Sequence, residues 1–145
     1  MRIGAPPERI YGIVSDITQM GRLSPQCTGG RWLGGATGPA PGARFIGWNK
    51  RGWFRWFTTN KVTTADPGRA FAFDTQQSGT RWSYRMEPDG DGTLVTESRE
   101  PWRERPLVAR LAARVFLGGV ETQEDELRDG LRATLDRLKA VAEAP

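Results

Sequence analysis

Apolar residues recur at helical spacing near both ends of the chain and at strand spacing between them. Residues 7–22 carry an apolar side chain at every third or fourth position, which predicts short helices that begin at Pro7. Between residues 29 and 100 the chain consists of runs of strand-forming residues, separated by turns rich in glycine and proline. The predicted strands are Gly30–Gly34, Ala43–Asn49, Trp53–Thr64, Arg69–Thr75, Thr80–Glu87 and Thr93–Glu100.

Helical spacing returns in the C-terminal part of the chain. One apolar stripe follows Pro106 and ends at Gly118-Gly119, and Thr122 with Asp125 has the spacing of a capping box. Consecutive strands joined by hairpins predict an antiparallel sheet, and helices at the chain ends predict an α+β fold in a single domain, residues 1–145. The long last helix is predicted to carry one apolar stripe of leucines: Leu127, Leu131, Leu135 and Leu138.

The residue types that are missing exclude several kinds of chemistry. The chain has no histidine, which excludes Ser-His-Asp and Cys-His catalytic groups, a histidine-bearing zinc site and a histidine-ligated haem. Its single cysteine, Cys27, cannot form an intramolecular disulfide or a multi-thiolate metal site, and is expected to be a small loop or core residue. We therefore expect no metal and no cofactor.

The basic charge of the chain raises the question of a nucleic-acid partner. The net charge is +4 and the calculated pI is about 9.8. Residues 51–57 partly match an RNA-binding signature, but Phe54 stands where that signature needs a small residue and Arg55 where it needs an aromatic one. We therefore expect a hairpin whose aromatic side chains fill the core and whose arginines face water, and no specific nucleic-acid binding.

The sequence also bears on localisation. The N-terminal residues lack the apolar region of a signal peptide. Arg110 and Arg114 interrupt the most apolar stretch, so no membrane span is predicted. An unpaired cysteine fits a reducing compartment, and we expect a cytoplasmic protein.

Charge pairing selects one register for the hairpin formed by the last two predicted strands. A register that opposes Arg81 to Arg99 places like charges together, whereas a shift by one residue opposes Arg81 to Glu100. The second register pairs Trp82 with Arg99, Tyr84 with Glu97 and Met86 with Val95. It also places Glu97 and Arg99 on the apolar face of the sheet.

A carboxylate on an apolar face needs a partner, because burial of an unpaired charge costs several kcal/mol. Tyr84 and Arg99 are the candidate partners of Glu97. Two interpretations remain open at this stage. The three residues either form an internal pair that closes the end of the sheet, or provide a polar anchor for a ligand in an otherwise apolar pocket.

Six stretches of the chain, by their sequences and their order, resemble members of the START/Bet v 1-like (SRPBCC) superfamily. The resemblance is closest to its polyketide cyclase/dehydrase and lipid-transport members. The resemblance covers nearly the whole chain, and none of the stretches is a catalytic signature. It implies a helix-grip fold, in which a curved antiparallel sheet wraps around the long C-terminal helix. The stretches are Ile3–Tyr11, Val14–Asp16, Gly35–Pro39, Gly42–Phe45, Pro67–Phe73 and Gly92–Ser98.

The resemblance further implies that a hydrophobic or aromatic small molecule, lipid-like or polyketide-like, binds between the sheet and the long helix. Some of the residues expected to line the pocket are placed on the sheet by the alternation of apolar and polar positions. The others are placed at the entrance and on the long helix by the apolar stripes of the C-terminal part of the chain. The sheet residues are Trp56, Phe71, Phe73, Trp82, Tyr84, Met86, Glu97 and Arg99; the others are Leu111 and Val115 at the entrance and Leu131 and Leu135 on the helix.

Two other functions remain open. An aromatase/cyclase-type enzyme would use Tyr84 and Glu97 to exchange protons and Arg99 to stabilise an enolate. A partner-binding module would have no small-molecule ligand. Only Met1–Ala5 precede Pro6, where the family has a full strand, so either the first strand is very short or the true start lies upstream. A shortened edge strand would leave part of the sheet edge unpaired and open to a homodimer contact.

Overall fold

The protein forms a single antiparallel sheet with helices at the two ends of the chain. A computed structural model describes residues 1–102 and 120–145, with side chains described in 1–102 and 128–145. The helices are α1 (Pro7–Val14), a 3₁₀ helix (Ile17–Arg22) and α2 (Val120–Glu143). The strands are β1 (Arg2–Ile3), β2 (Cys27–Leu33), β3 (Arg44–Arg51), β4 (Phe54–Asp66), β5 (Ala70–Thr75), β6 (Thr80–Asp89) and β7 (Gly92–Pro101).

The strand order is β1-β7-β6-β5-β4-β3-β2, and every neighbouring pair is antiparallel. The six consecutive strands predicted from sequence are therefore confirmed, each within three residues of its predicted bounds. The short N-terminal strand is confirmed too. It pairs with β7 only through Arg2 opposite Leu94 and Ile3 opposite Thr93.

The core lies between the sheet and the two helices. Ile10 and Val14 of α1, Phe71 of β5 and Val95 of β7 are almost completely buried together with Leu138 of α2. Helix α2 contacts α1, β1 and β7, so its C-terminal half lies over the end of the sheet where the chain begins. This is the helix-grip arrangement that the sequence predicted.

The leucine stripe of α2 is graded rather than uniform. Leu138 is fully buried, Leu135 packs against the core, and Leu131 is half-buried. Thr122 does not cap the helix, because Val120 and Glu121 before it are already helical, so the predicted capping box is wrong. The predicted stripe after Pro106, with its end at Gly118-Gly119, lies outside the described residues.

The aromatic side chains of the β3–β4 hairpin do not fill the core as the sequence analysis expected. Trp53 is 91% exposed, and Phe54 and Phe57 are each more than half exposed. The reason is strand length. β4 pairs with β5 only from Asn60 onward, and β3 pairs with β2 only as far as Asn49, so the end of the hairpin extends past both neighbours.

Candidate functional site

The register of β6 and β7 brings the predicted polar residues together. Arg81 lies opposite Glu100, Trp82 opposite Arg99, Tyr84 opposite Glu97 and Met86 opposite Val95, as charge pairing predicted. On the outer face Arg81 also donates two hydrogen bonds to Asp74, at 2.7 and 3.1 Å. That outer ion pair helps to hold the register that positions the inner residues.

Glu97 and Tyr84 form the centre of the candidate site. The Tyr84 hydroxyl is hydrogen-bonded to the Glu97 carboxyl, and Tyr84 is buried. Burial raises the pKa of Glu97 from 4.5 to about 7, although the hydrogen bond from Tyr84 acts in the opposite direction. Burial also raises the pKa of Tyr84 well above 10, and the negative charge of Glu97 adds to that rise. Near neutral pH Tyr84 is therefore protonated, whereas Glu97 is present in both its protonated and its ionised form.

One oxygen of Glu97 has no hydrogen-bond partner among the described residues. The Oε2 atom is buried and makes no hydrogen bond within the part of the chain that the structure describes. Buried polar atoms of proteins are almost always hydrogen-bonded, so an exception calls for an explanation. Protonation of the carboxyl reduces the cost of its burial, but leaves Glu97 with hydrogen-bonding capacity that Tyr84 does not use.

Aromatic residues extend from this pair across β5 and β6. Phe71 lies opposite Tyr84 and Phe73 opposite Trp82. Phe71 is fully buried, with its ring 6.4 Å from the ring of Tyr11 and 5.9 Å from that of Phe73. The predicted site residues of these two strands are thus adjacent, and Phe71 is tightly packed from both sides.

Other predicted residues lie elsewhere. Trp56 is half-buried on the hairpin, opposite Asn49 and 5.5 Å from the ring of Phe54, beyond the end of β5 and apart from Glu97. Leu135 packs against the core and Leu131 is half-buried. Leu111 and Val115, predicted at the entrance, lie outside the described residues.

Sequence analysis missed the place of Cys27 in the site. Cys27 is half-buried at the start of β2, and its thiol interacts electrostatically with Tyr84 four strands away in sheet order. Burial raises the pKa of the thiol, and its contact with the Gly29 carbonyl at 3.4 Å acts in the opposite direction. Cys27 is therefore a protonated, weakly polar neighbour of the Glu97–Tyr84 pair.

A second polar pair on the inner face was also missed. Thr75 donates a hydrogen bond of 2.7 Å to Asn60, and both side chains are buried. Alternation along β4 already places Asn60 on the same face as Val62, so a polar residue inside was detectable. Its partner was not, since the pairing of β4 with β5 includes a bulge between Val62 and Thr64.

Two grooves in the described surface lie apart from Glu97. One, of about 650 Å³, lies between α1 and the end of α2 and includes Arg9, Ile13 and Val141. The other, of about 480 Å³, lies between Glu8 and Arg85. Among the side chains described in residues 1–102 and 128–145, no group of acidic or cysteine residues is arranged to hold a metal ion. Within residues 1–102 and 120–145 no helix has the length and hydropathy needed to cross a membrane.

Solved structures share this fold over the full length of the chain. A Polyketide_cyc-like protein from Corynebacterium glutamicum is 31% identical, with 99% of this chain and 86% of that chain covered and a TM-score of 0.58. A protein from Chromobacterium violaceum is 15% identical, with 100% and 95% covered and a TM-score of 0.69.

A larger protein contains the same fold in about half its length. The di-domain ARO/CYC protein BexL from the BE-7585A biosynthetic pathway is 18% identical, with 100% of this chain and 48% of that chain covered and a TM-score of 0.71. The comparison with curated proteins returned no match. The family model described as polyketide cyclase / dehydrase and lipid transport matches residues 1–143. The chain therefore belongs to the polyketide cyclase / dehydrase and lipid transport family.

Proposed function

We propose that the protein binds a hydrophobic or aromatic small molecule, lipid-like or polyketide-like, between the sheet and α2, with Glu97 and Tyr84 as the polar anchor. The observation that carries this proposal is the buried Oε2 of Glu97, which has no hydrogen-bond partner in the described residues. A ligand hydroxyl or carbonyl would supply that partner. Apolar neighbours on β6 and β7, including Met86 and Val95, suit the remainder of such a ligand.

The protonation state of Glu97 sets which ligand groups it can bind. With a pKa of about 7, the carboxyl is available near neutral pH both as a protonated donor and as an ionised acceptor. The protonated form can donate to a carbonyl, and the ionised form can accept from a hydroxyl. The single proton of Tyr84 is directed to Glu97, so the free capacity of the pair resides on the Glu97 carboxyl.

The proposed pocket wall combines described and undescribed residues. On the sheet it consists of Trp82, Tyr84, Met86, Glu97 and Arg99, backed by Phe71 and Phe73. On α2 it consists of Leu131 and Leu135. Leu111 and Val115 remain proposed entrance residues from the sequence alone.

Ligand titration with a hydroxylated anthraquinone, a rigid aromatic carrying both hydroxyl and carbonyl groups, tests the anchor. Glu97→Met keeps the volume but removes the hydrogen bond, and is expected to weaken binding about tenfold, the value of roughly one buried hydrogen bond. Glu97→Gln should make the affinity independent of pH between about 6 and 8, where the wild-type carboxyl titrates.

The matched control is Glu100→Gln, because Glu100 is the exposed carboxylate of β7 on the outer face, opposite Arg81. It should leave the affinity unchanged. Equal affinity in wild type, Glu97→Met and Glu100→Gln would remove the anchor from the proposal. Failure of the anthraquinone to bind, together with native mass spectrometry that detects no co-purified small molecule, would favour a partner-binding module.

A second candidate function is an aromatase/cyclase-type reaction on a polyketide. The observation that favours it is a buried carboxyl with a pKa of about 7, hydrogen-bonded to a tyrosine that stays protonated. Ionised Glu97 would take a proton from the carbon between two carbonyl groups. Tyr84 would donate its proton to the product oxygen and regain one from the protonated Glu97, and Arg99 would stabilise the enolate charge.

Turnover separates the enzyme from the carrier. The enzyme requires that the wild type cyclise a linear polyketide analogue, and that Glu97→Gln lose this activity while it stays folded and still binds the anthraquinone. Binding without turnover in the wild type leaves the carrier function alone.

A further inference from the structure

The end of the β3–β4 hairpin exposes aromatic side chains that the proposed pocket does not use. We define the aromatic hairpin as residues 48–57. Trp53 is 91% exposed, Phe57 56%, Phe54 55% and Trp48 42%. Large apolar side chains that lie together in water are a recognised mark of an interaction surface.

The same part of the sheet is strongly basic. Six basic residues and no acidic residue occur between Arg31 and Lys61. Lys50 and Arg55 lie opposite each other at the base of the hairpin turn, and both are exposed. Every charged side chain within residues 31–61 is therefore cationic, so the complementary partner of this segment is an anionic one.

The aromatic side chains point in more than one direction. Trp48 lies opposite Phe57 on one face of the hairpin. Phe54 and Trp56 lie on the other face, with ring centroids 5.5 Å apart. Trp53 lies in the turn, beside Gly52, whose positive φ of 61° allows the chain to reverse there. The aromatic surface thus surrounds the tip instead of forming one flat platform.

We propose that the aromatic hairpin binds the surface of an anionic lipid bilayer, with Trp53 and Phe54 inserted at the interface and Lys50 and Arg55 on the headgroups. A fluid bilayer can surround a protruding tip, whereas a nucleic-acid strand stacks on rings that face it from one side. Tryptophan is favoured at the headgroup level, and basic residues near an anionic leaflet each add about 1 kcal/mol of attraction. The site goes beyond the proposed small-molecule pocket and does not depend on it.

Co-sedimentation with lipid vesicles tests the proposal. The two compositions are phosphatidylcholine alone and phosphatidylcholine mixed with phosphatidylglycerol. The wild type should partition onto the anionic vesicles at least about tenfold more strongly, and added salt should weaken that binding. The double variant Trp53→Ala/Phe54→Ala should lose about tenfold or more of the partition coefficient, because two interfacial side chains are removed.

Charge reversal provides the matched comparison. Lys50→Glu/Arg55→Glu should abolish the preference for anionic vesicles. The control Arg132→Glu/Arg137→Glu makes the same change in net charge at exposed positions of α2, which contacts β1 and β7 at the far side of the sheet, and should change binding less than about twofold. All substituted side chains are solvent-exposed, and melting temperatures establish that each variant is folded.

Four results would overturn the proposal. The first is that the wild type does not bind anionic vesicles, and the second is that the α2 control loses as much vesicle binding as Lys50→Glu/Arg55→Glu. The third is that the wild type binds single-stranded RNA more tightly than vesicles, and that Trp53→Ala/Phe54→Ala loses this RNA affinity. The fourth is a concentration-dependent dimer that this double variant abolishes, since a second copy would then cover the tip. Analytical ultracentrifugation of wild type and double variant distinguishes that last case.

Discussion

The interior of the protein has two regions that differ in the polarity of the side chains they bury. Around α1, β1 and the end of α2 the buried side chains are nearly all apolar, as with Ile3, Ile10 and Leu138, and they contact one another. Around β6 and β7 the inner face instead buries a carboxyl, Glu97, against a tyrosine. The first region is filled, whereas in the second the buried Oε2 of Glu97 has no hydrogen-bond partner among the described residues.

The two regions differ in how burial affects stability. Apolar burial stabilises the fold in proportion to the area removed from water. A buried carboxyl lowers stability whenever it is ionised, and proteins retain such groups mostly where binding or catalysis needs them. The carboxyl of Glu97 is therefore the group of the interior that structural stability explains least, which is why we propose it as the ligand anchor.

The largest expected effect tests the filled region. Leu138 is fully buried at the centre of the contact between α2 and the core. Leu138→Ala should lower the free energy of unfolding by about 2–5 kcal/mol, from lost transfer energy and the cavity that remains. Urea denaturation measures the change, and a loss below about 1 kcal/mol would show that this region is not tightly packed.

An intermediate effect is expected from the pH dependence of stability. The folded pKa of Glu97, about 7, lies above its ordinary value of 4.5. Between these values the folded protein keeps a proton that the unfolded chain releases, so the free energy of unfolding should fall as pH rises through this range. The contribution is fully present below about pH 4.5 and lost above about pH 7, a change of about 3 kcal/mol.

Comparison with Glu97→Gln isolates this contribution, because all other titrating groups are common to both proteins. Unfolding is measured in urea at pH 5 and pH 8. The decrease between the two should be about 2–3 kcal/mol smaller in Glu97→Gln than in the wild type. Identical decreases would mean that Glu97 titrates normally in the folded protein, and would weaken the case for a functional carboxyl.

The two regions were also unequally predictable from sequence. Strand pairing follows from alternation and from opposite charges, which is why Arg81 and Glu100 alone selected the register that places Tyr84 beside Glu97. The approach of Cys27 to Tyr84 was not predictable, since it depends on how far the whole sheet curves. Sequence patterns specify neighbours along and across strands, but not contacts across a concavity.

The prediction that the aromatic side chains of the hairpin fill the core was wrong for a related reason. Alternation along Phe54–Asp66 does not show where the neighbouring strands end. Trp53 and Phe54 are exposed because β5 stops at Thr75, opposite Asn60, so that none of the described strands pairs with the end of β4 on that side. Burial of a strand residue depends on the lengths of its neighbours, and those were known only to within a few residues.

The smallest expected effect lies on the boundary between the two regions. Leu131 is half-buried one helical turn beyond Leu135, whereas Leu138 is fully buried in the same stripe. If Leu131 borders a ligand pocket, its side chain lacks contacts on one side, and Leu131→Ala should cost only about 1 kcal/mol of unfolding free energy. Anthraquinone affinity should fall in Leu131→Ala and stay unchanged in Leu138→Ala at a temperature where both are folded. Equal losses of unfolding free energy in the two variants, with the anthraquinone affinity unchanged in both, would show that the filled region extends along α2 as far as Leu131.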